Sequence, residues 1–255
     1  MDLGLKNKKV LITGGSKGIG LACAQAFIAE GARVAIVSRS QENLNQGKKA
    51  LGEAYTAAAD LADAAAAQAM VEKEFGPIDV LVNSAGAAKR TNADDLTPAA
   101  WRAAMDAKYF TYINVIDPLV KRMAARGRGV IVNIIGSGGK IASPIHLAGG
   151  AANAALMLAS AGLANAYAAK GVRVVGINPG LTSTSRVAEG LKADAQREGI
   201  SEDEALARAK KKLPLGRLAE PAEIADIAVF AASERGRFLT GANISADGVS
   251  TPTVV

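Results

Sequence analysis

Apolar residues occur along the chain in short runs of strand length, separated by longer stretches in which they recur at helical spacing. The runs lie at Val10–Ile12, Arg33–Val37, Ile78–Val82, Val130–Ile134 and Val172–Ile177, with a weaker one at Ala54–Ala58 and a late one at Asn243–Ser245. Between them, Gly18–Glu30, Glu42–Leu51, Ala62–Glu74, Ala99–Ala125 and Leu147–Lys170 are amphipathic or alanine-rich. A strand buried on both faces needs a continuous apolar run, and strands alternating with helices form right-handed βαβ units. The pattern predicts an α/β fold: a doubly wound parallel sheet of Rossmann type with helices on both faces. Gly31 and Gly171 stand where helices should stop ahead of strands. Pro118 is expected to kink or divide the helix over Trp101–Ala125.

No composition break marks a second domain, so residues 1–255 are expected to form one domain. The charged, helical stretch Ser183–Leu215 looks inserted between a Pro-Gly turn and the final helix. In this architecture ligands sit outside the carboxyl ends of the strands, so the insertion is expected to be a lid over substrate, the alternative being a plain surface excursion.

Composition narrows the setting. With 49% apolar and 4% aromatic residues, the core is aliphatic and alanine-rich. The single cysteine, Cys23, falls on the apolar face of the first helix and reads as a small core residue. The opening MDLGLKNKKV has no secretory apolar segment, which sets a cytoplasmic expectation. A net charge of +6 could attract nucleic acid, but the cations are scattered apart from Lys210–Lys212, and no nucleic-acid module is present. An anionic cofactor is the more economical account. No charged side chain stands between Lys140 and Lys170, a length that could span a bilayer. That run holds Pro144, His146, Asn153 and Asn165 among alanine, glycine and serine, and is expected to be buried in the protein or at a subunit contact. Neither a membrane nor a metal is expected.

The chemistry begins at Thr13–Gly20, TGGSKGIG, where the first strand breaks into a glycine turn and a helix starts. Strand, glycine turn and helix together aim backbone N–H groups and the positive end of a helix dipole at a phosphate. Its spacing, TGxxxGxG, resembles that of the short-chain dehydrogenase/reductase family. Asp60-Leu61 after the third strand, Asn83-Ser84-Ala85-Gly86 (similar to NNAG), Asn178-Pro179-Gly180 with Thr182 and Thr184, and Gly241 with Asp247-Gly248 resemble further family motifs in the family's order. The resemblance implies a dinucleotide held by Gly14, Ser16, Lys17, Gly18, Ile19 and Gly20. It places adenine at Asp60 and Leu61, further cofactor contacts at Asn83, Ala85 and Gly86, and nicotinamide beside Pro179, Gly180, Thr182 and Thr184.

Charge then selects the dinucleotide. An acid at the end of the second strand would bind the ribose hydroxyls of NAD, whereas a cation suits the 2′-phosphate of NADP. The chain has Ser38-Arg39-Ser40 there and Lys17 in the glycine turn, so NADP(H) is expected. Arg39 as merely a solvated residue after a strand is the alternative.

The family's catalytic Asn, Ser, Tyr and Lys are not matched. Tyr55, Tyr109, Tyr112 and Tyr167 all lack a lysine four residues later, so YxxxK is absent. Ile131–Ser137 resembles IVNISS with Gly136 at the serine position and Ser137 one later; Met105–Lys108 resembles xDVN with Lys108 at the asparagine position. His146 falls at the tyrosine position and Gly150 at the lysine position. A substitute set is expected: His146, the only histidine, as proton donor facing the nicotinamide pocket, Lys108 as the positive charge, and Ser137 as a hydroxyl. His146 as a packing residue at a helix start is the alternative.

Two functions follow: an NADP(H)-dependent oxidoreductase acting on the carbonyl or alcohol of a small-molecule substrate, or an NADP(H)-binding protein without redox turnover. Apolar stripes along Tyr109–Val120 and Leu147–Ala169 imply a homo-oligomer, and the resemblance, whose members pair these helices as dimers and tetramers, sets the expectation of a homotetramer.

Overall fold

The computed structural model describes residues 1–73, 76–86 and 88–253. Seven parallel strands, β1 (Lys9–Thr13), β2 (Arg33–Ser38), β3 (Tyr55–Ala58), β4 (Val80–Asn83), β5 (Gly129–Ile134), β6 (Val172–Pro179) and β7 (Asn243–Ala246), form one sheet in the order β3-β2-β1-β4-β5-β6-β7. Side chains alternate across it, and the two faces carry separate cores. Val10, Ile12, Val34, Ile36, Val80 and Val82 meet the helices α1 (Gly18–Ala29), α2 (Gln41–Leu51) and α9 (Pro221–Ala232). Leu11, Ala35, Val37, Leu81 and Ile131 meet α3 (Ala64–Lys73), α5 (Thr111–Ala125) and α6 (Leu147–Tyr167) on the other face. The expected doubly wound sheet is the one observed.

Boundaries moved little. Ile78, read as the start of a strand, is buried just ahead of β4. The stretch Ala62–Glu74 forms α3 over Ala64–Lys73, with Glu74 outside the described residues. Gly31 and Gly171 follow their helical segments with φ of +76° and +73°, a conformation that glycine adopts without a Cβ penalty. Cys23 is fully buried, and burial pushes its thiol up to about 12, so it packs as an inert core residue.

Of the two outcomes expected at Pro118, a kink or a division of the helix over Ala99–Ala125, division is not observed: Pro118 lies inside α5. Regular α geometry holds over α4 (Pro98–Met105), gives way to a wide π turn at Asp106–Phe110, and resumes in α5. Such turns insert a residue and re-aim the side chains beside it. Here the residue concerned is Lys108.

Leu147–Lys170 is long and apolar enough to cross a membrane by length and composition. Its α6 portion packs against β6 and buries Ala148, Ala152, Asn153, Leu156, Ser160 and Ala164, while Leu158 on the outer side is 77% exposed. The burial expected for this segment is therefore one-sided.

The carboxyl ends of the central strands are tied by a chain of buried polar groups. Thr13 Oγ1 donates to Asn83 Oδ1 (3.2 Å), Asn83 Nδ2 to Asn133 Oδ1 (2.9 Å), Asn133 Nδ2 to Ser160 Oγ (2.9 Å), and Ser160 Oγ to the Leu156 carbonyl (2.7 Å). Removing a middle member strands its partners away from water. Asn133→Ala is therefore expected to lower the unfolding free energy by about 2–3 kcal/mol, measured by urea denaturation.

Candidate active site

The order of the sheet reverses between β1 and β4, and a cleft of about 610 Å³ opens there at the carboxyl ends of the strands. This is where an α/β sheet leaves room for a ligand, because the crossovers on either side diverge. One wall is the glycine turn. Gly14, at φ +67°, lies so close to the next loop that a Cβ would stand 2.8 Å from the Ala85 backbone. The residue preceding α1, Lys17, places no side-chain cap on the helix, and no acid stands in the first turn. The first N–H groups of α1 are thus left without a side-chain acceptor beside the cleft, an arrangement that suits an anion.

Most of the expected cofactor residues line this one cleft: Gly14, Ser16, Lys17, Gly18, Ile19, Ser38, Arg39, Asp60, Leu61, Ala85, Gly86, Pro179, Gly180, Thr182 and Thr184. Two do not. Gly20 faces inward, where a Cβ would meet the Gly14 carbonyl oxygen, so it serves the packing of the turn. Asn83 is fully buried in the polar chain beneath the cleft and supports the wall from behind. Ser40 lines the cleft but accepts from the Asn43 N–H (3.2 Å) as the cap of α2. Asn114 Nδ2 donates to the carbonyls of Leu61 (3.0 Å) and Ala62 (3.1 Å), fixing the loop at the Asp60 end. Among the described residues, the charged groups lining the cleft are Lys17, Arg39, Lys108 and Arg186 against Asp60 and Glu189. The balance favours an anionic ligand.

Lys108 lies where the π turn meets the cleft, beside Gly86, whose absent Cβ lets the Ala107 carbonyl approach. Its side chain is buried, and Nζ donates to Tyr112 Oη (2.9 Å) and to the Ile134 carbonyl (3.1 Å). Tyr112 Oη itself donates to the same carbonyl (2.5 Å). Burial, and then the positive charge of Arg186, hold the Lys108 ammonium down to about 7. Burial holds the Tyr112 phenol well above its usual range, so it stays protonated.

Ser137 and His146 stand apart from this wall. Gly136 lines the cleft at φ +122°, and the helical turn Ser137–Gly139 that follows lies down on α6. It fits because α6 begins with glycines: a Cβ on Gly150 would stand 2.8 Å from the Gly138 carbonyl, and one on Gly149 would collide with the His146 ring. His146 is half-buried over these glycines, and its Nδ1 is enclosed without a partner. Burial, then Arg90 and Lys108, lower its pKa, so the neutral imidazole is favoured. The expected histidine facing the nicotinamide side is thus a ring packed on the start of its own helix, outside the cleft lining.

The inserted stretch forms two helices, α7 (Ser185–Glu198) and α8 (Glu202–Lys211), packed on each other and largely solvent-exposed. Its base is clipped to the body: Ser183 N–H donates to the Ala219 carbonyl (2.8 Å) and Ala219 N–H to the Leu181 carbonyl (3.0 Å). Arg186, Val187 and Glu189 reach the cleft from α7. Tyr112, Arg186 and Glu189 had not been singled out from sequence. The signal for Tyr112 was present in reverse, as a lysine four residues before a tyrosine, one helical turn away.

Lys108 also predicts a pH signature in stability. The unfolded chain holds a lysine proton up to the ordinary value of 10.5, while the folded chain releases it near 7, so stability rises with pH across that window. Lys108→Met leaves Tyr112 bonded to Ile134 and removes the buried charge. The variant is expected to be more stable than the parent at pH 6 by on the order of 2–4 kcal/mol, with the gap closing toward pH 10 in denaturant titrations.

A family model described as short chain dehydrogenase matches residues 8–195. The chain is 35% identical over 257 residues to D-threitol dehydrogenase of Mycolicibacterium smegmatis, covering 97% of this chain and 94% of that one. It is 35% identical over 245 residues to acetoacetyl-CoA reductase of Shinella zoogloeoides, covering 95% and 98%. Among solved structures, L-sorbose reductase from Gluconobacter frateurii, complexed with NADPH and L-sorbose, superposes with a TM-score of 0.93 at 30% identity over 100% of both chains. The chain belongs to the short chain dehydrogenase family.

Proposed function

We propose that this protein is an NADP(H)-dependent oxidoreductase that interconverts a carbonyl and an alcohol of a small molecule, using a proton donor other than a tyrosine–lysine pair. The observation that carries the reading is the pairing of Lys17 and Arg39 on the wall of one cleft, with no carboxylate at the end of β2. The NADPH in the sorbose reductase complex and the names of the relatives support it.

The residues present fit the dinucleotide. The open N-terminus of α1 and the backbone of Ser16–Ile19 take the pyrophosphate, and the Arg39 guanidinium with Ser38 takes the 2′-phosphate. Asp60 and Leu61 border adenine, Pro179, Gly180, Thr182 and Thr184 border nicotinamide, and Ala85 and Gly86 line the same cleft. When bound, the nicotinamide supplies or accepts the hydride. Residues 1–255 act as a single NADP-binding domain, and 183–215 closes over the substrate. By the motif resemblance the family's catalytic positions fall on Lys108, Gly136, His146 and Gly150, and on this reading the proton is handled within the set of Lys108, Ser137 and His146. The outer face of α6, with Leu158 exposed, serves a dimer or tetramer contact.

Loss of a charge-assisted phosphate contact fixes the size of the first test. Arg39→Ala should raise the Kd for NADPH about ten- to a hundredfold and leave that for NADH within about threefold, measured by cofactor fluorescence. NADPH consumption with some member of a broad ketone and aldehyde panel is expected of the wild type. Tight NADPH binding without any turnover would instead establish the non-redox reading, which the unmatched catalytic positions favour. Leu158→Glu should shift the sedimentation profile toward monomer, and a wild type that is already monomeric at micromolar concentration would refute the assembly.

A further inference from the structure

We propose that Lys108 is the catalytic proton donor to the substrate oxygen, held in place by Tyr112 and the Ile134 carbonyl. The inference rests on the oxidoreductase reading above and names the group that completes it.

Three observations converge on this residue. First, of the three candidate positions only Lys108 lines the cleft; the His146 ring packs over Gly138 and Gly149, and Ser137 lies on the turn that follows Gly136. Second, Lys108 is a buried amine to which, among the described residues, no carboxylate is bonded: its hydrogen-bond partners there are a phenol oxygen and a backbone carbonyl. Burying an ammonium without a counter-ion is costly, and an apolar side chain would fill the same place more stably. The amine is explained by chemistry rather than by stability. Third, the bonding leaves one valence of Nζ for exchange. Cε occupies one, and two N–H bonds point to Tyr112 Oη and to the Ile134 carbonyl. The fourth carries a proton in the ammonium and a lone pair in the amine. Tyr112 cannot take over the role, because its own hydroxyl hydrogen is directed at the Ile134 carbonyl.

With the hydride that a bound reduced dinucleotide would supply, the carbonyl carbon would gain its new C–H bond and the π pair would move onto oxygen. The fourth Nζ–H bond of Lys108 breaks, and its proton forms the O–H bond of the alcohol. The neutral amine that remains takes a proton from solvent before the next turnover; oxidation runs the same transfers backward, with the amine as base. The titratable and charged groups that act on this amine are Tyr112 one turn further on, Arg186 from α7 and His146 at the start of α6, while Glu189 lines the same cleft. Burial and Arg186 set the amine to titrate near neutrality, where donor and acceptor forms are both populated.

The sign of the pH dependence follows. Reduction needs the ammonium and should fall as pH rises through about 7; oxidation needs the amine and should rise over the same range. Lys108→Met and Lys108→Arg are expected to lower single-turnover reduction at saturating NADPH at least a hundredfold, with the Kd for NADPH within about threefold. Tyr112→Phe removes an acceptor of the ammonium, so it should move the pH midpoint downward while leaving the plateau rate within about tenfold, as a positioning residue does. Independently of turnover, acetic anhydride should acetylate Lys108 in the wild-type protein with a midpoint near pH 7, and bound NADPH should protect it, both read by peptide mass. A wild type active on some carbonyl whose Lys108→Met variant keeps more than a third of the rate overturns the inference alone. So does a Lys108 that stays unmodified up to pH 9, or a pH limb abolished by His146→Gln and kept in Lys108→Arg. A wild type inert toward every carbonyl overturns the oxidoreductase reading, and the donor with it.

Discussion

The hydrogen-bonded chain from Thr13 through Asn83 and Asn133 to Ser160 is the constraint on which the site depends. It runs at the carboxyl ends of β1, β4 and β5 and ends in α6, and every member is at most 1% exposed. Parallel strands of valine and isoleucine pack well but are not held in register by packing alone. A satisfied polar chain in a low-dielectric interior is intolerant of displacement, because each broken link leaves a desolvated group. Thr13 Oγ1 also accepts from the N–H of Ser84, so the same group fixes the loop that forms one wall of the cleft. The cleft is therefore set by the sheet.

Two local adjustments decide what this cleft contains. Four glycines, Gly138, Gly139, Gly149 and Gly150, let the turn after β5 settle onto the start of α6, so backbone occupies space where larger side chains would otherwise project. Across from it, the π turn at Asp106–Phe110 carries Lys108 to the wall, where Tyr112 and Ile134 receive its amine. One change lays the turn after Gly136 against the start of α6, and the other supplies the cleft with a titratable side chain. The resulting field is positive at both ends, from Lys17 and Arg39 at one and from Lys108 and Arg186 at the other.

The fold was legible because its determinants are local and repeated: every strand run and every helix period carries the same statement about burial. The glycine turn was legible for a related reason, since close approach between Gly14 and the Ala85 backbone excludes any other residue. Pro118 does not divide the helix, because a proline inside a helix removes one donor and crowds one carbonyl, which the packed face of α5 tolerates. The π turn, whose segment DAKYF carries no breaker residue, has no comparable signature. His146 is a different case. A position in a motif says where the backbone goes, and only packing against Gly138 and Gly149 says where the ring lies.

The sequence by itself determined the doubly wound sheet, the phosphate turn and the positive charge at the end of β2. Each rests on the order of residues within a few positions of one another, so periodicity and spacing suffice. The tertiary structure alone decided that Asn83 supports the cleft from beneath, that Ser137 and His146 stand off its wall, and that Lys108 stands on it, backed by the buried Tyr112. Those outcomes depend on which side chains from distant segments compete for the same buried volume. A lysine amine enclosed by residues from β5, α5 and α7 acquires its chemistry from that enclosure, by desolvation and by a neighbouring cation, and no local pattern in the chain encodes either.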